Sequence, residues 1–210
     1  MNILKKSFCF TLIIFCTGLA FGATIKNYTA DQVEILSNQV LSKVYAADTK
    51  FRLDSLDGSG DVETFYIVRL DQKKVYALDV MKRIYTEYPI EEDDKTFYDH
   101  ITSAQQSAQQ ITGGTFELKR EKTGTAETVL GYRAEKYSVT ITDELFGQKL
   151  SGIVYYWWLA PEFDMPLRVQ VQTLVYEVTF ELRNIKTAEP PASLFEIPPG
   201  YTKVENSQFQ

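Results

Sequence analysis

Apolar side chains recur at every second position along most of this 210-residue chain, and turn residues separate the alternating segments. Residues 51–54, for example, alternate apolar and charged side chains shortly before a glycine-containing turn at 57–60. Such alternation is typical of antiparallel strands that bury one face. The sequence therefore predicts a mainly β (α+β) protein of about ten or eleven strands joined by short connections.

The positions of the turn residues delimit the individual strands. We expect strands at residues 32–36, 40–46, 51–55, 62–70, 73–80, 83–90, 116–121, 132–141, 147–159, 167–172 and 174–182. The pattern also predicts a turn at 123–125, a bulge near 135–136 and a tight turn or bulge at 172–173. Residues 65–68 and 154–159 are apolar at both parities, so the first segment should be covered on both faces and the second should be a central strand.

One segment carries apolar residues at helical spacing instead. Its apolar stripe consists of Phe97, Ile101, Ala104, Ala108 and Ile111. This spacing predicts a helix from about residue 93 to 110, and the acidic residues 91–94 lie where a helix dipole favours negative charge. This helix is the element that we expect to cover the sheet.

The first 22 residues have the three parts of a secretory signal peptide. Lys5 and Lys6 precede an apolar run at 8–15, and small residues follow it. We place the cleavage between Gly22 and Ala23, which predicts a periplasmic or secreted protein. A retained anchor is the alternative, and it is disfavoured because a membrane-spanning helix needs about twenty apolar residues.

Both cysteines, Cys9 and Cys16, lie in this leader, so the mature chain 23–210 should contain none. Disulfides, thiolate nucleophiles and cysteine zinc sites are therefore excluded from it. Lipidation of Cys16 is not expected, because the bulky Phe15 stands where a lipidation signal has a small residue.

The mature chain is long enough for one domain with a hydrophobic core. Two of the 22 basic residues lie in the leader, so 20 basic residues face 28 acidic ones and the net charge is about −8. A surface with this charge repels phosphate backbones, which argues against nucleic acid as a partner.

His100 is the only histidine of the sequence, and its neighbour Asp99 would allow an acid–base pair. A solvated surface histidine is the commoner interpretation, because catalysis also needs a nucleophile and a cleft that no motif here identifies. A zinc or copper site cannot be built from one histidine without cysteine, and the acidic run 91–94 lacks the spacing of a calcium loop. We therefore predict that the chain is not an enzyme and has neither a cofactor nor a metal site.

The predicted strands are rich in aromatic residues, and an ordinary aromatic core is the simplest interpretation. A curled sheet over one helix tends instead to leave an interior space, whose aromatic and aliphatic walls would suit an apolar ligand. The residues that we expect to line such a cavity are Phe65, Ile67, Tyr76, Tyr85, Phe97, Ile101, Tyr155 and Trp157.

Several stretches carry a resemblance to a known family. They are Lys50–Asp54, Tyr66–Tyr76, Glu127–Tyr137, Trp158–Ala160 followed by Met165–Arg168, and Leu194–Tyr201. In these strand and turn patterns, residues 32–204 resemble an uncharacterised family of secreted bacterial proteins grouped with the outer-membrane lipoprotein carrier superfamily. The resemblance implies a half-open barrel lidded by helix, with an apolar cavity that holds acyl chains in relatives.

The leading functional hypothesis is a periplasmic carrier or sensor that holds a lipid or other apolar group between the curved sheet and the helix. The alternative is a non-catalytic envelope scaffold or protein-interaction module whose core is filled by its own side chains. The expected partners are accordingly a lipid or apolar ligand, or an envelope protein, and no membrane-spanning segment is expected in the mature chain.

Overall fold

The computed structural model describes residues 27–90, 96–110, 115–145, 148–150, 154–172 and 176–205. The predicted signal peptide, the acidic run 91–94 and Thr173 lie outside these ranges. Within them the chain forms thirteen strands and one α-helix, α1, at Phe97–Gln110. The strands are β1 (Asn27–Glu34), β2 (Val40–Ala47), β3 (Lys50–Leu56), β4 (Val62–Arg69), β5 (Lys74–Asp79), β6 (Ile84–Pro89), β7 (Thr115–Val129), β8 (Tyr132–Leu145), β9 (Gln148–Leu150), β10 (Val154–Leu159), β11 (Arg168–Gln172), β12 (Glu177–Lys186) and β13 (Thr202–Lys203).

All strands belong to one curved sheet. Its order is β13-β6-β5-β4-β3-β2-β1-β12-β11-β10-β8-β7, and β9 pairs with β8 beside this path. Every neighbouring pair is antiparallel except β13 with β6. The sheet is not closed on itself, and the predicted half-open barrel with one main helix is confirmed. The central position predicted for residues 154–159 is also confirmed, since β10 lies between β8 and β11.

Cross-strand pairing defines the face of the sheet on which α1 lies, because directly paired residues and residues two apart in a strand share a face. Phe51 of β3 stacks on Phe97 of α1, so the face of Phe51 is the inner face. The pairing then carries the inner face across the sheet through Leu53, Val44, Ala30, Gln32, Leu182, Phe180, Val169, Trp157, Tyr137 and Lys122.

The helix α1 begins with a reciprocal cap. Asp99 accepts hydrogen bonds from the backbone N–H and from the hydroxyl of Thr96, and Thr96 Oγ1 accepts one from the Asp99 N–H. This arrangement satisfies N–H groups that the first helical turn leaves without a partner. Phe97, Ile101 and Ala104 are buried, and α1 packs on β4, β5 and β7.

The opposite, outer face of β2–β6 is covered by the C-terminal segment and not by the helix. Phe195 is buried there among Phe65, Ile67 and Leu78. Two arginines anchor this segment, because the Nη1 groups of Arg52 and Arg69 donate to the Leu194 and Phe195 carbonyls at 3.1 and 3.2 Å. The expected double cover of residues 65–68 is therefore present, with a different element on each face.

The hairpin of β7 and β8 corrects two predictions. Thr123–Thr125 is not a turn but a bulge within β7, where three residues lie opposite Lys136 alone and Gly124 adopts a φ of 79°. The turn lies at Leu130–Gly131, both with positive φ, as a two-residue hairpin requires. The bulge expected near Glu135–Lys136 of β8 is absent, since β8 pairs with β10 in unbroken register there.

Candidate functional site

The structure divides the eight predicted cavity residues between the two faces of the sheet. Phe97 and Ile101 project from α1 toward the inner face, and Tyr155 and Trp157 lie on the inner face of β10. Phe65, Ile67, Tyr76 and Tyr85 lie on the outer face, in the cluster that the C-terminal segment covers. The outer four therefore cannot share one cavity with the inner four.

A contiguous group of apolar side chains occupies the inner face of the neighbouring strands β8, β10, β11 and β12. We call it the inner apolar surface, and it consists of Tyr137, Val139, Tyr155, Trp157, Val169, Val171 and Phe180. Val139, Trp157 and Val169 are buried, whereas the other four side chains are half-buried. These residues come from β8, β10, β11 and β12, which pair side by side.

Val169, Val171 and Phe180 lie in the predicted strands 167–172 and 174–182 but were not among the expected cavity residues. The available signal was the alternation itself, since Val169 and Val171 alternate with Arg168, Gln170 and Gln172. These residues form one surface because β11 pairs with β10 and β12. This pairing between distant segments cannot be predicted from local sequence patterns.

Burial also affects the tyrosines of the inner face. The pKa of Tyr155 lies above the ordinary value of 10.0, chiefly because of desolvation and secondarily because of Tyr176. Desolvation raises the pKa of Tyr88, on the inner face beneath α1, to about 12, with a smaller contribution from Tyr66. Both hydroxyls therefore stay neutral at ordinary pH.

Polar and charged groups border the inner apolar surface at β7. Arg120 Nη1 lies 3.1 Å from Oδ1 and Oδ2 of Asp99 on α1, and its guanidinium carbon lies 5.5 Å from the centre of the Tyr137 ring. Lys122, which pairs with Tyr137, places its ammonium nitrogen 5.7 Å from the same ring. Arg120 and Lys122 therefore border the inner apolar surface on the side of β7.

On the opposite face of β10, cationic side chains pack on the aromatic ring of Trp158. Trp158 points away from its neighbour Trp157, and Lys136 and Arg168 approach its ring to 4.7 and 5.4 Å. Arg168 in turn forms an ion pair with Glu181 at 2.6 Å. The consecutive residues Trp157 and Trp158 therefore lie on opposite faces of β10.

Beneath α1 the inner face is filled. The rings of Phe51 and Phe97 are stacked 5.1 Å apart, and both side chains are almost completely buried. Tyr28, Phe163 and Tyr132, which belong to or pack against the same hydrophobic cluster, make two edge-to-face contacts at 5.3 and 4.9 Å between ring centres. The space between the helix and β3–β5 is therefore occupied by the protein's own side chains.

The histidine does not lie where the sequence suggested. His100 is 4% exposed and not solvated. Its neighbour Asp99 is used by the helix cap and by the ion pair with Arg120. Across the described ranges, no group of three acidic, histidine or cysteine side chains is placed to hold a metal ion.

The described residues include no helix with the length and apolar character that crossing a bilayer requires. No protein-family profile matches the chain, and no curated protein matches it.

Solved structures give more distant similarities. An uncharacterised conserved protein from Thermus thermophilus aligns with 85% of this chain and 90% of its own, at 15% identity and a TM-score of 0.46. The Mycobacterium tuberculosis lipoprotein LppX aligns with 79% of this chain and 88% of its own, at 10% identity and a TM-score of 0.35. A chain of the Pseudomonas aeruginosa MucA/MucB complex aligns with 81% of this chain and 55% of its own, at 10% identity and a TM-score of 0.33. Similarities at this level carry no inference about a ligand or a partner.

Proposed function

We propose that this chain is an exported, non-catalytic periplasmic protein that carries or senses a lipid or another apolar group on its inner apolar surface. The supporting observation is the contiguity of that surface on the face of an open sheet that also carries α1. Apolar ligands bind in concave sites that are lined by aromatic and aliphatic side chains. The half-buried tyrosines would lie at the border of such a site, where one end of the ring is dry and the other is wet.

The size of the surface suits an extended chain. From Phe180 to Lys122 the inner row crosses four strand spacings, which is roughly 19 Å at about 4.8 Å per spacing. A hydrocarbon chain lying along this row would contact Val169, Trp157 and Tyr137 in turn. It would end beside the cations of β7.

The proposed location follows from the sequence. Residues 1–22 have the composition of a secretory leader, and residues 32–204 resemble the outer-membrane lipoprotein carrier superfamily. We therefore place the mature protein in the periplasm and group it with this superfamily as part of the proposal.

A second candidate function rests on a different observation. The inner face beneath α1 is filled, with Phe97 stacked on Phe51. A filled interior is the arrangement expected of an envelope scaffold or protein-interaction module, which binds its partner on an outside surface. In that case the inner apolar surface would contribute only to the core.

The two functions are separated by a matched pair of substitutions on β11. Val171→Asp places a carboxylate on the inner apolar surface, and Gln170→Asp places the same group on the opposite face of the same strand. We would titrate an environment-sensitive apolar dye into each variant and into the parent protein, and measure dye emission together with circular dichroism.

A carrier should raise dye emission saturably, and V171D should weaken dye affinity at least tenfold whereas Q170D should leave it within twofold. An absence of saturable emission with the folded parent protein, or equal loss in both variants, would contradict the carrier proposal. The filled-core function predicts that no variant binds the dye.

A further inference from the structure

Most of the large apolar side chains that the described residues expose to solvent lie at one end of the sheet. Ile35 and Leu36 follow β1, and Tyr176 precedes β12. Met81 lies in the connection between β5 and β6. The antiparallel order places these connections at the same end, whereas the remaining exposed side chain, Leu130, lies in the β7–β8 turn at the opposite end. Apolar exposure is therefore concentrated at the end that carries the β1–β2 turn.

The β1–β2 turn holds Leu36 on a backbone that is fixed by hydrogen bonds. The Glu34 carboxylate accepts hydrogen bonds from the N–H groups of Leu36 and Ser37 at 2.8 and 2.7 Å. The Glu34 N–H donates to the Gln39 carbonyl at 2.9 Å, and the Gln39 N–H donates to Ser37 Oγ at 3.2 Å. The Leu36 side chain is nevertheless 85% exposed. The turn therefore presents an apolar side chain to solvent while these backbone N–H groups have partners within the turn.

This turn is continuous with the inner apolar surface. Glu34 pairs with Phe180, which belongs to that surface, and the Ile35 N–H extends the pairing through a 2.9 Å hydrogen bond to β12. Tyr176 lies near Tyr155 of the same surface, since it is the second cause, after desolvation, of the raised pKa of Tyr155. An apolar chain that left the inner apolar surface at this end would therefore meet the turn.

The turn carries no charge, unlike the neighbouring connections at this end of the sheet. Residues 35–42 include no acidic or basic side chain, although the chain as a whole has a net charge of −6. The 57–61 connection contains two aspartates, and Met81 is followed by two basic residues. Charged groups are costly to remove from water. The 35–39 turn is therefore the connection that can enter an apolar layer at the lowest cost.

We propose that Ile35, Leu36 and Tyr176 form a docking surface for a lipid bilayer with zwitterionic head groups. A turn that enters the bilayer interface needs apolar side chains and backbone donors that already have partners. Leu36 meets the first requirement, and the Glu34 carboxylate meets the second. Tyrosine is enriched at membrane interfaces because its ring is apolar and its hydroxyl is polar, so the half-exposed Tyr176 suits the border of the inserted region.

The small size of the docking surface favours a bilayer over a protein partner. A stable protein interface takes roughly 800 Å² from each partner, and three side chains on one corner of the sheet provide far less. Binding to a bilayer has no such threshold, because it increases with whatever apolar area is inserted.

Docking at this corner gives the inner apolar surface direct access to lipid. A lipid would pass from the bilayer along Phe180 and Tyr155 without crossing water. This role rests on the proposed carrier function, whereas binding to the bilayer does not.

The test is co-flotation of the exported protein with phosphatidylcholine vesicles, from which the partition coefficient is measured. The parent protein should float, and Leu36→Ser should weaken the partitioning at least fivefold because it removes the inserted side chain. Met81→Ser is the matched control, since Met81 is 88% exposed at the same end of the sheet but lies outside the docking surface. It should leave the partitioning within twofold, and circular dichroism checks the fold of both variants. A tenfold rise in ionic strength should also change the partitioning less than twofold, because no ion pair is involved.

Bilayer docking is overturned if the folded parent protein does not float, if L36S and M81S partition equally, or if added salt releases the protein. A parent protein that does not float but self-associates in sedimentation, and loses this association in L36S, assigns the surface to a second copy of the chain instead.

The apolar dye titration judges the carrier function separately. L36S should keep the parent dye affinity within twofold, because Leu36 lies outside the inner apolar surface. Leucine-dependent flotation without dye binding would support docking and contradict the carrier. Dye binding without flotation would support the carrier and overturn docking.

Discussion

Arg120 of β7 and Asp99 of α1 form an ion pair in which the arginine Nη1 lies 3.1 Å from both carboxylate oxygens. β7 is the last strand at one end of the sheet order, and α1 also packs on β4 and β5 in the other half. The pair therefore connects the two halves of the open barrel through the helix.

Replacing Arg120 by Met should lower the free energy of unfolding by about 1–2 kcal/mol, because Asp99 would remain largely buried without its cation. Urea denaturation followed by circular dichroism measures the change. Lys119→Met is the matched control, since the neighbouring Lys119 is largely exposed and should change stability by less than about 0.5 kcal/mol. Equal stability of the two variants would show that the ion pair does not hold the helix.

Phe97→Ala should be the most destabilising single change in α1. It removes the ring that stacks on Phe51 and leaves a cavity beneath the helix, at a cost of about 3–5 kcal/mol. Tyr176→Ala removes an aromatic ring that is 55% exposed and should change stability by about 0.5 kcal/mol or less. Chemical denaturation of both variants checks the contrast, and a loss below about 1 kcal/mol for F97A would contradict the packing described.

Docking of the C-terminal strand should depend on pH. Glu87 has a pKa below its ordinary value of 4.5, first because it accepts a hydrogen bond from Lys203 and then because of Lys74. A lowered pKa in the folded state means that the stabilisation is present above pH 4.5 and is lost as the pH falls through the lowered value.

The measurement is the hydrogen-exchange protection of the Val204 amide, which donates to the Tyr85 carbonyl at 2.8 Å. Protection should decrease as the pH falls below about 4.5 in the parent protein. In Glu87→Gln it should be lower at neutral pH and should not change over this range. A parent protein with constant protection would contradict the role of Glu87.

Phe195→Ala should separate stability from ligand binding. The side chain is buried on the outer face among Phe65, Ile67 and Leu78, so its loss should cost about 3–5 kcal/mol. Because the inner apolar surface lies on the other face, the folded variant should bind an apolar dye with the parent affinity. A tenfold loss of dye affinity in folded F195A would indicate that the ligand occupies the outer face.

Strand positions could be predicted from the sequence because alternation and turn chemistry are local. The order of the sheet and the identity of each cover could not, because they depend on contacts between distant residues. Residues 65–68 show the difference: their pattern demanded a cover on each face, yet the outer cover is Phe195, about 130 residues further along the chain. The sequence analysis therefore placed four residues of the outer face in one cavity with residues of the helix. They are Phe65, Ile67, Tyr76 and Tyr85.

The bulge of β7 shows a second limit. Gly124 between two threonines is compatible both with a tight turn and with a bulge, since each uses a positive φ. The choice depends on Lys122 and Ala126 both pairing with β8, a long-range condition.

The two tryptophans of the chain allow a direct test of whether a lipid-like ligand lies on the inner apolar surface. Trp157 belongs to that surface, whereas Trp158 faces the other way. Trp158→Phe leaves Trp157 as the only indole, and Trp157→Phe leaves Trp158. The measurement is the quenching of tryptophan fluorescence by an acyl chain that carries a nitroxide. We expect saturable quenching in W158F and at least fivefold weaker quenching in W157F. An absence of saturable quenching, or equal quenching in the two variants, would contradict it.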